Sequence, residues 1–299
     1  MALALKNKRS NKYPTQQSSD REDARNLSPT SPAGSGAALR SSNLLSSEGD
    51  PNFMTSLARG LAVIRAFSHH QRSLTIPQIS EITGLSRATV RRCLYTLAKV
   101  GYVSAENRSF ELHPRILELG YAYLSSGHLA TGAQPILDRL CQTVRESCSV
   151  AVLQGEDILY VARAATTLRI VSIDLGVGSL LPAYCTSMGR ILLAHQPESK
   201  LREYLAHAQF PLRTKRTITS PAKLADELAE IRRKGYCIVD QELEMGLRSI
   251  AVPVTGKANA VVCAMNVGTQ AARVPITELR ETIYPRLRSA AQQLSAILR

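Results

Sequence analysis

The chain has 299 residues, 44% of them hydrophobic, with 37 Lys and Arg against 24 Asp and Glu, a net charge of +13 and a pI near 9.7. That length admits two domains and a tail, and the basic balance favours a polyanionic partner without implying sequence specificity. No apolar run is long enough to span a bilayer, and the run in MALALKNKRS is too short for a secretory signal. The six cysteines (Cys93, Cys141, Cys148, Cys185, Cys237 and Cys263) form no CxxC and have no paired-histidine cluster, which argues against a metal site and for a reducing cytoplasm.

Residues 1–52 are low in complexity, with ten serines in the first fifty and Pro and Gly recurring in SPTSPAGSG. Such a segment buries too little apolar surface to offset its ordering entropy, so a disordered tail is expected. Residues 54–70 read as an amphipathic helix with Leu57, Leu61, Ile64 and Phe67 on its buried side, Arg59 near its start placed to touch a phosphate, and His69 and His70 at its end.

The stretch 75–97, TIPQISEITGLSRATVRRCLYTL, reads as two short helices joined by a tight turn. Thr75 suits an N-cap and Pro77 the first helical turn, and Gly84 stops the first helix by entering a left-handed conformation at no steric cost. Ser86 can cap the second helix. There Val90, Cys93, Leu94, Leu97 and Ala98 fall on one apolar stripe, while Arg87, Arg91, Arg92, Tyr95 and Lys99 fall off it. No Asp or Glu occurs from residue 82 to residue 105. A rigid apolar back with a cationic front, and short polar Ser86 and Thr89 near the start, is what a helix reading a major groove requires. A hairpin follows, with Asn107-Arg108-Ser109 at its turn, so that Arg108 would reach the DNA backbone or minor groove. Residues 54–113 carry eight basic residues and three acids, a net of +5, and form an expected winged helix-turn-helix domain.

Residues 114–127, PRILELGYAYLSSG, are apolar nearly all round and read as a linker helix that packs against another surface, such as the same helix of a second subunit. From 128 to 299 helices and strands alternate. A helix is expected over 130–146, and strands over Ser149–Leu153, Ile158–Ala164 and Leu168–Ile173, the first two joined by a hairpin at Gly155-Glu156-Asp157. Helices follow from Ser187 through Ala194, at 198–206 and at 221–234. Strands at Tyr236–Asp240, Arg248–Val254 and Val261–Val267 precede a closing helix at 276–297. Hairpin-grouped strands between helices imply an α+β domain, an antiparallel sheet flanked by helices.

Three segments in this order, TGLSRATVRRCLYTLAKVGYV, LPAYCTSMGRILLA and VDQELEMGLRSIAVPV, resemble the IclR-type family of bacterial transcriptional regulators. The wording of the last two resembles the branch that regulates aromatic-acid catabolism through the β-ketoadipate pathway. The resemblance covers about residues 55–299 and implies a winged helix-turn-helix followed by a GAF-like effector-binding domain, in dimers or tetramers. Carried over by motif, the effector cavity would be lined by Leu181, Ser187 and Met188, by Asp240, by Ser249 and by Asn266. Arg248 is a candidate partner for a carboxylate, although strand alternation turns it from Ser249's side and toward solvent.

Independently, unpaired N–H groups at the helix start near Ser187 favour an anion, and Ser249 and Asn266 supply neutral hydrogen bonds. Where some members of the family carry small hydroxyl residues, this chain has Asn266. The function expected is a cytoplasmic, nucleoid-associated regulator that binds a double-stranded operator. A small organic acid, aromatic by the resemblance, would control a catabolic operon through it, with activation favoured over repression. RNA polymerase is a further candidate partner, and no membrane, metal or cofactor is expected. The alternatives are a repressor of a non-aromatic carbon-metabolism operon and a nonspecific DNA-coating protein. An enzyme is disfavoured, since Cys185, Cys237 and His195 are its only candidate nucleophiles or bases near the site and no G-x-S-x-G, metal motif or P-loop occurs.

Overall fold

A computed structural model describes residues 50–67, 71–126, 128–166 and 175–299. The tail to residue 49, His69, His70 and the strand expected at Leu168–Ile173 lie outside the described residues. Two compact units result. The first runs to Phe67 and includes Ser73–Leu97 and Ala105–Phe110; the second holds Glu111–Arg299 with Ser68–Arg72 and Ala98–Ser104.

In the first, α1 (Thr55–Ala66) turns Val63 and Ala66 inward, so Leu57 and Leu61 are 59% and 49% exposed, contrary to the expected buried side. Leucines at 57 and 61 form a second apolar stripe beside the small inward one, and spacing alone does not say which of two stripes packs. A short strand, β1 (Ser73–Thr75), leads into α2 (Ile76–Thr83) and then α3 (Arg87–Lys99). Thr75 and Gln78 form a reciprocal capping box, and Gly84 ends α2 at φ 70°. Val90, Leu94 and Leu97 form the buried stripe of α3, with Cys93 half-buried; Ala98, expected there too, is exposed. Strands β2 (Val103–Glu106) and β3 (Ser109–Leu112) make the wing, in a three-stranded sheet of order β1-β3-β2.

The second unit opens with a 3-10 turn, Pro114–Ile116, and α4 (Leu117–Ser126). Arg115 donates to the Val100 carbonyl at 3.2 Å, lies over the Tyr102 ring and pairs with Glu118. On α4, Leu117 and Tyr121 are largely exposed and Leu119 half so. Then come α5 (His128–Val144), β4 (Ser147–Gln154), β5 (Asp157–Ala164), β6 (Leu180–Pro182), α6 (Ser187–Ala194), α7 (Glu198–His207) and α8 (Pro221–Lys234). Strands β7 (Cys237–Asp240), β8 (Leu247–Thr255) and β9 (Val261–Gln270) follow. The chain closes with α9 (Ile276–Glu278), a π-turn at Leu279–Ile283 and α10 (Tyr284–Leu298).

The six strands form one antiparallel sheet in the order β6-β5-β4-β9-β8-β7. Its alternating side chains build two different cores. On one face Val150, Ile250, Val252, Met265 and Val267 pack against α5 and α10. On the other, Ala151, Ala251 and Ala264 seat α6, behind which α8 packs with Leu224, Leu228 and Ile231. Alanines let the helix approach closely. At Gly189 a Cβ would stand 2.3 Å from the Ala183 backbone, so only glycine fits where α6 crosses that loop.

Candidate functional site

Two regions hold the residues that the sequence singles out. On α3 the cationic front is solvent-facing: Arg87, Arg91, Arg92 and Tyr95 are exposed, opposite the packed Val90–Leu94–Leu97 stripe. Ser86 Oγ accepts from the Thr89 N–H at 3.3 Å and shares a hydrogen bond with Thr89 Oγ1 at 2.9 Å, which engages both short polar groups at the helix start. Arg59 is exposed on α1 and close to the reading helix. Burial pushes the Cys93 thiol up, and the charges of Arg59 and Arg92 pull it back. Arg108 sits at the wing tip with φ 71°, beside Asn107 at φ 48°. A tight two-residue hairpin turn demands left-handed backbone at both positions, and it holds the arginine out from the sheet.

The second region is a cavity between the sheet and the start of α6. Its floor is two rows of residues that the register sets side by side. Ser147, Gly268, Ser249 and Val239 pair in turn across β4, β9, β8 and β7, and Arg163, Ser149 and Asn266 pair across β5, β4 and β9. Short side chains in these rows leave empty the volume that large residues fill on the opposite face. Leu175, Leu181, Leu243, Leu247 and Tyr160 supply apolar walls, and Cys185, Thr186, Ser187 and Met188 the roof.

The roof is held from behind. Thr186 Oγ1 caps α6 by accepting from the Gly189 N–H at 3.3 Å, and Ser249 donates to Ser187 Oγ at 2.8 Å, joining roof to floor. Arg190, 1% exposed, donates Nη1 and Nη2 to both oxygens of Glu242 at 2.7 and 2.6 Å and Nε to the Tyr184 carbonyl. Glu242 Oε2 also accepts from the Ile218 N–H at 2.9 Å. The pair therefore ties α6 to the 241–246 loop, which carries Leu243 into the cavity wall.

Of the expected effector residues, Leu181, Ser187, Met188, Ser249 and Asn266 come together around this cavity. Asp240 and Arg248 do not. They stand opposite each other across β7 and β8, on the side away from Val239 and Ser249, and Arg248 Nε donates to Asp240 Oδ1 at 2.7 Å. Arg248 also donates to the Ala271 and Val274 carbonyls, and its side chain is only 11% exposed, so it is neither a cavity residue nor a solvated one. Alternation sets its side correctly, but the chain after β9 folds over that side and covers it. Burial pushes the Asp240 carboxyl up, yet hydrogen bonds from Arg248 and Gln241 and the charge of Arg216 outweigh it and hold the pKa below the usual value.

Sequence reasoning missed Arg163, Ser147, Ser149 and Tyr160. The available signal was Ser-Cys-Ser alternation at 147–149, which sets two hydroxyls on one face, but nothing local places Arg163 next to them. Arg163 Nη1 donates to Ser149 Oγ at 3.1 Å, and no carboxylate pairs with it among the described residues. Among the described residues no Asp or Glu lines the cavity. A lone guanidinium, neutral hydroxyls and the N–H groups of a helix start make an environment suited to one anionic group on an otherwise apolar molecule.

The nearby thiols are poor nucleophiles. Burial pushes Cys185 to about 11 and Cys237 to about 12, leaving both protonated at neutral pH. His195 lies at the far end of α6 with Nδ1 2.8 Å from the Ile191 carbonyl.

Residues 56–106 match the IclR helix-turn-helix domain, and residues 121–296 match the family described as Bacterial transcriptional regulator IclR C-terminal. The Pca regulon regulatory protein of Pseudomonas putida is 53% identical over 246 residues, 82% of this chain and 84% of that protein. The p-hydroxybenzoate hydroxylase transcriptional activator of Acinetobacter baylyi is 33% identical over 81% of this chain and 91% of its own length. Among solved structures, an IclR homolog from Microbacterium hydrocarbonoxydans complexed with 4-hydroxybenzoate superposes with a TM-score of 0.71 at 27% identity, covering 81% of this chain and 98% of that one.

Proposed function

This chain belongs to the IclR family of bacterial transcriptional regulators, and we propose that it controls an aromatic-acid catabolic operon in response to a small organic acid held in the cavity beneath α6. The observation that carries this reading is Arg163, bonded to Ser149 and with no carboxylate partner or lining acid among the described residues, in a cavity beside two hydroxyl-bearing strands and under a helix start. The printed names of the relatives, and the 4-hydroxybenzoate in the homologous structure, support an aromatic carboxylate or its ring-cleavage product as the class of effector. The activator named among them supports activation over repression.

In this reading residues 54–113 read the operator. Arg87, Arg91 and Arg92 contact base edges or phosphates beside Ser86, Thr89 and Tyr95. Arg59 touches the backbone, and Arg108 reaches it, or the minor groove, from the wing. Residues 128–299 bind the effector, and the 114–127 helix joins the two. Exposed Leu57, Leu61, Leu117 and Tyr121 support a homodimer or tetramer, which would present paired reading helices about one helical turn, roughly 34 Å, apart on a pseudo-palindromic site. The working compartment is the cytoplasm, at the nucleoid, with RNA polymerase as a further partner. Among the described residues no helix is long and apolar enough to cross a membrane.

An effector shifts the regulator only by binding its two states with different affinity. The test is thermal-shift titration with 4-hydroxybenzoate, protocatechuate and muconate, followed by operator binding with and without the acid that stabilises. Stabilisation by one of them, lost in Arg163→Gln, is expected together with a change in operator affinity or transcription. No effect of any of the three on either measurement would sink the proposal.

A further inference from the structure

Asn266 is 8% exposed, lines the cavity, and its Oδ1 has no hydrogen-bond partner among the described residues. An orphaned buried amide oxygen is destabilising, because it loses water without gaining a partner. Among the described residues no neighbour on its face of the sheet relieves it. Ala251, Ala264 and Gly268 carry no polar side chain. The Ser149 hydroxyl accepts from Arg163 at 3.1 Å and the Ser187 hydroxyl from Ser249 at 2.8 Å, and neither donates to Asn266 Oδ1. An apolar residue of similar size would avoid this cost, so the amide is unexplained by the fold alone. It stands in register with Ser149 and Arg163 across three adjacent strands, which sets it one to two strand spacings, roughly 5–10 Å, from the guanidinium.

Resting on the reading of this cavity as an acid-binding site, we propose that Asn266 is its specificity-determining residue and that the effector is a bifunctional acid. One carboxylate meets Arg163, and a second polar group on the same molecule meets the Asn266 amide. An amide offers both a donor and an acceptor, so the second group is a hydroxyl, a keto oxygen or a second carboxylate. A monofunctional acid of the same size would leave the amide orphaned and bind more weakly.

The test is isothermal titration of the full chain with two probe pairs, 4-hydroxybenzoate against benzoate and adipate against hexanoate. In the native chain the bifunctional member of at least one pair is expected to bind about ten- to a hundredfold tighter, as the relief of one buried unsatisfied group implies. In Asn266→Ala that ratio collapses toward one while the monofunctional acid binds as before. Asn266→Ser, which keeps a small polar group, guards against loss of folding, checked by the thermal midpoint. Asn266→Asp, which only accepts, keeps a preference for the hydroxyl acid and abolishes one for the diacid. A ratio near one in the native chain, or a ratio that survives Asn266→Ala, overturns the inference while the cavity still binds acids. No binding of any of the four, nor of protocatechuate or muconate, to the native chain overturns the cavity reading and this inference with it.

Discussion

The two faces of the six-stranded sheet use the same strands to opposite ends. Against α5 and α10 the sheet presents valines, isoleucines and Met265, all nearly fully buried. Against α6 it presents alanines, then, two or four residues along the same strands, Ser147, Ser149, Ser249, Asn266 and Gly268. The first face gains apolar burial at about 25 cal/mol per Å². The second gives that up over a few residues to leave a lined, polar hollow. Stability and recognition are thus separated by strand alternation, one residue apart, and substitutions on alternate residues should report different properties.

The largest effect tests what holds the hollow open. Glu242→Ala leaves Arg190 buried without its carboxylate, and a loss of about 3–5 kcal/mol is expected by chemical denaturation. A loss below about 1 kcal/mol would mean that the pair is not what braces α6. Next comes the packed face. Met265→Ala should cost about 2–5 kcal/mol in the same assay, with the affinity of the native chain for its acid retained in whatever remains folded.

On the other face of the sheet, one residue from Met265's partner Val150, Ser149→Ala should cost less than about 1 kcal/mol of stability, because it removes one hydroxyl at the edge of an existing hollow, yet weaken acid binding by freeing the Arg163 guanidinium to wander. If Ser149→Ala proved as destabilising as Met265→Ala, the division between the faces would fail. A smaller effect lies at the edge of β4. Glu146 is buried, with Oε1 paired to Arg273 at 2.6 Å and Oε2 unpartnered among the described residues. Burial raises its pKa against the pull of Arg273. Since the folded-state value lies above the unfolded one, its contribution is most favourable below the unfolded carboxylate pKa and is lost as pH rises through the folded one. The difference in thermal midpoint between pH 4 and pH 8 should therefore shrink in Glu146→Gln.

Some of this was legible without coordinates. The capping box at Thr75 and Gln78, the stop at Gly84 and the Val90–Leu97 stripe of α3 depend on residues within four positions of one another, where helical geometry alone decides the outcome. The antiparallel sheet and the cavity residues from the motifs Leu181, Ser187, Met188, Ser249 and Asn266 were also within reach, since alternation and resemblance point the same way. Leu57 and Leu61 were misread because α1 carries two adjacent stripes and periodicity does not rank them.

What remained hidden was the set of neighbours across long sequence distances. Asp240 and Arg248 satisfy each other instead of a ligand, Arg190 and Glu242 meet over fifty-two positions, and Arg163 reaches the hollow because β5 pairs with β4 in one register. Local spacing determines which elements form and which side of each is apolar. Register and packing decide which polar groups find partners within the chain, and so which ones, such as Asn266 Oδ1 among the described residues, are left without one.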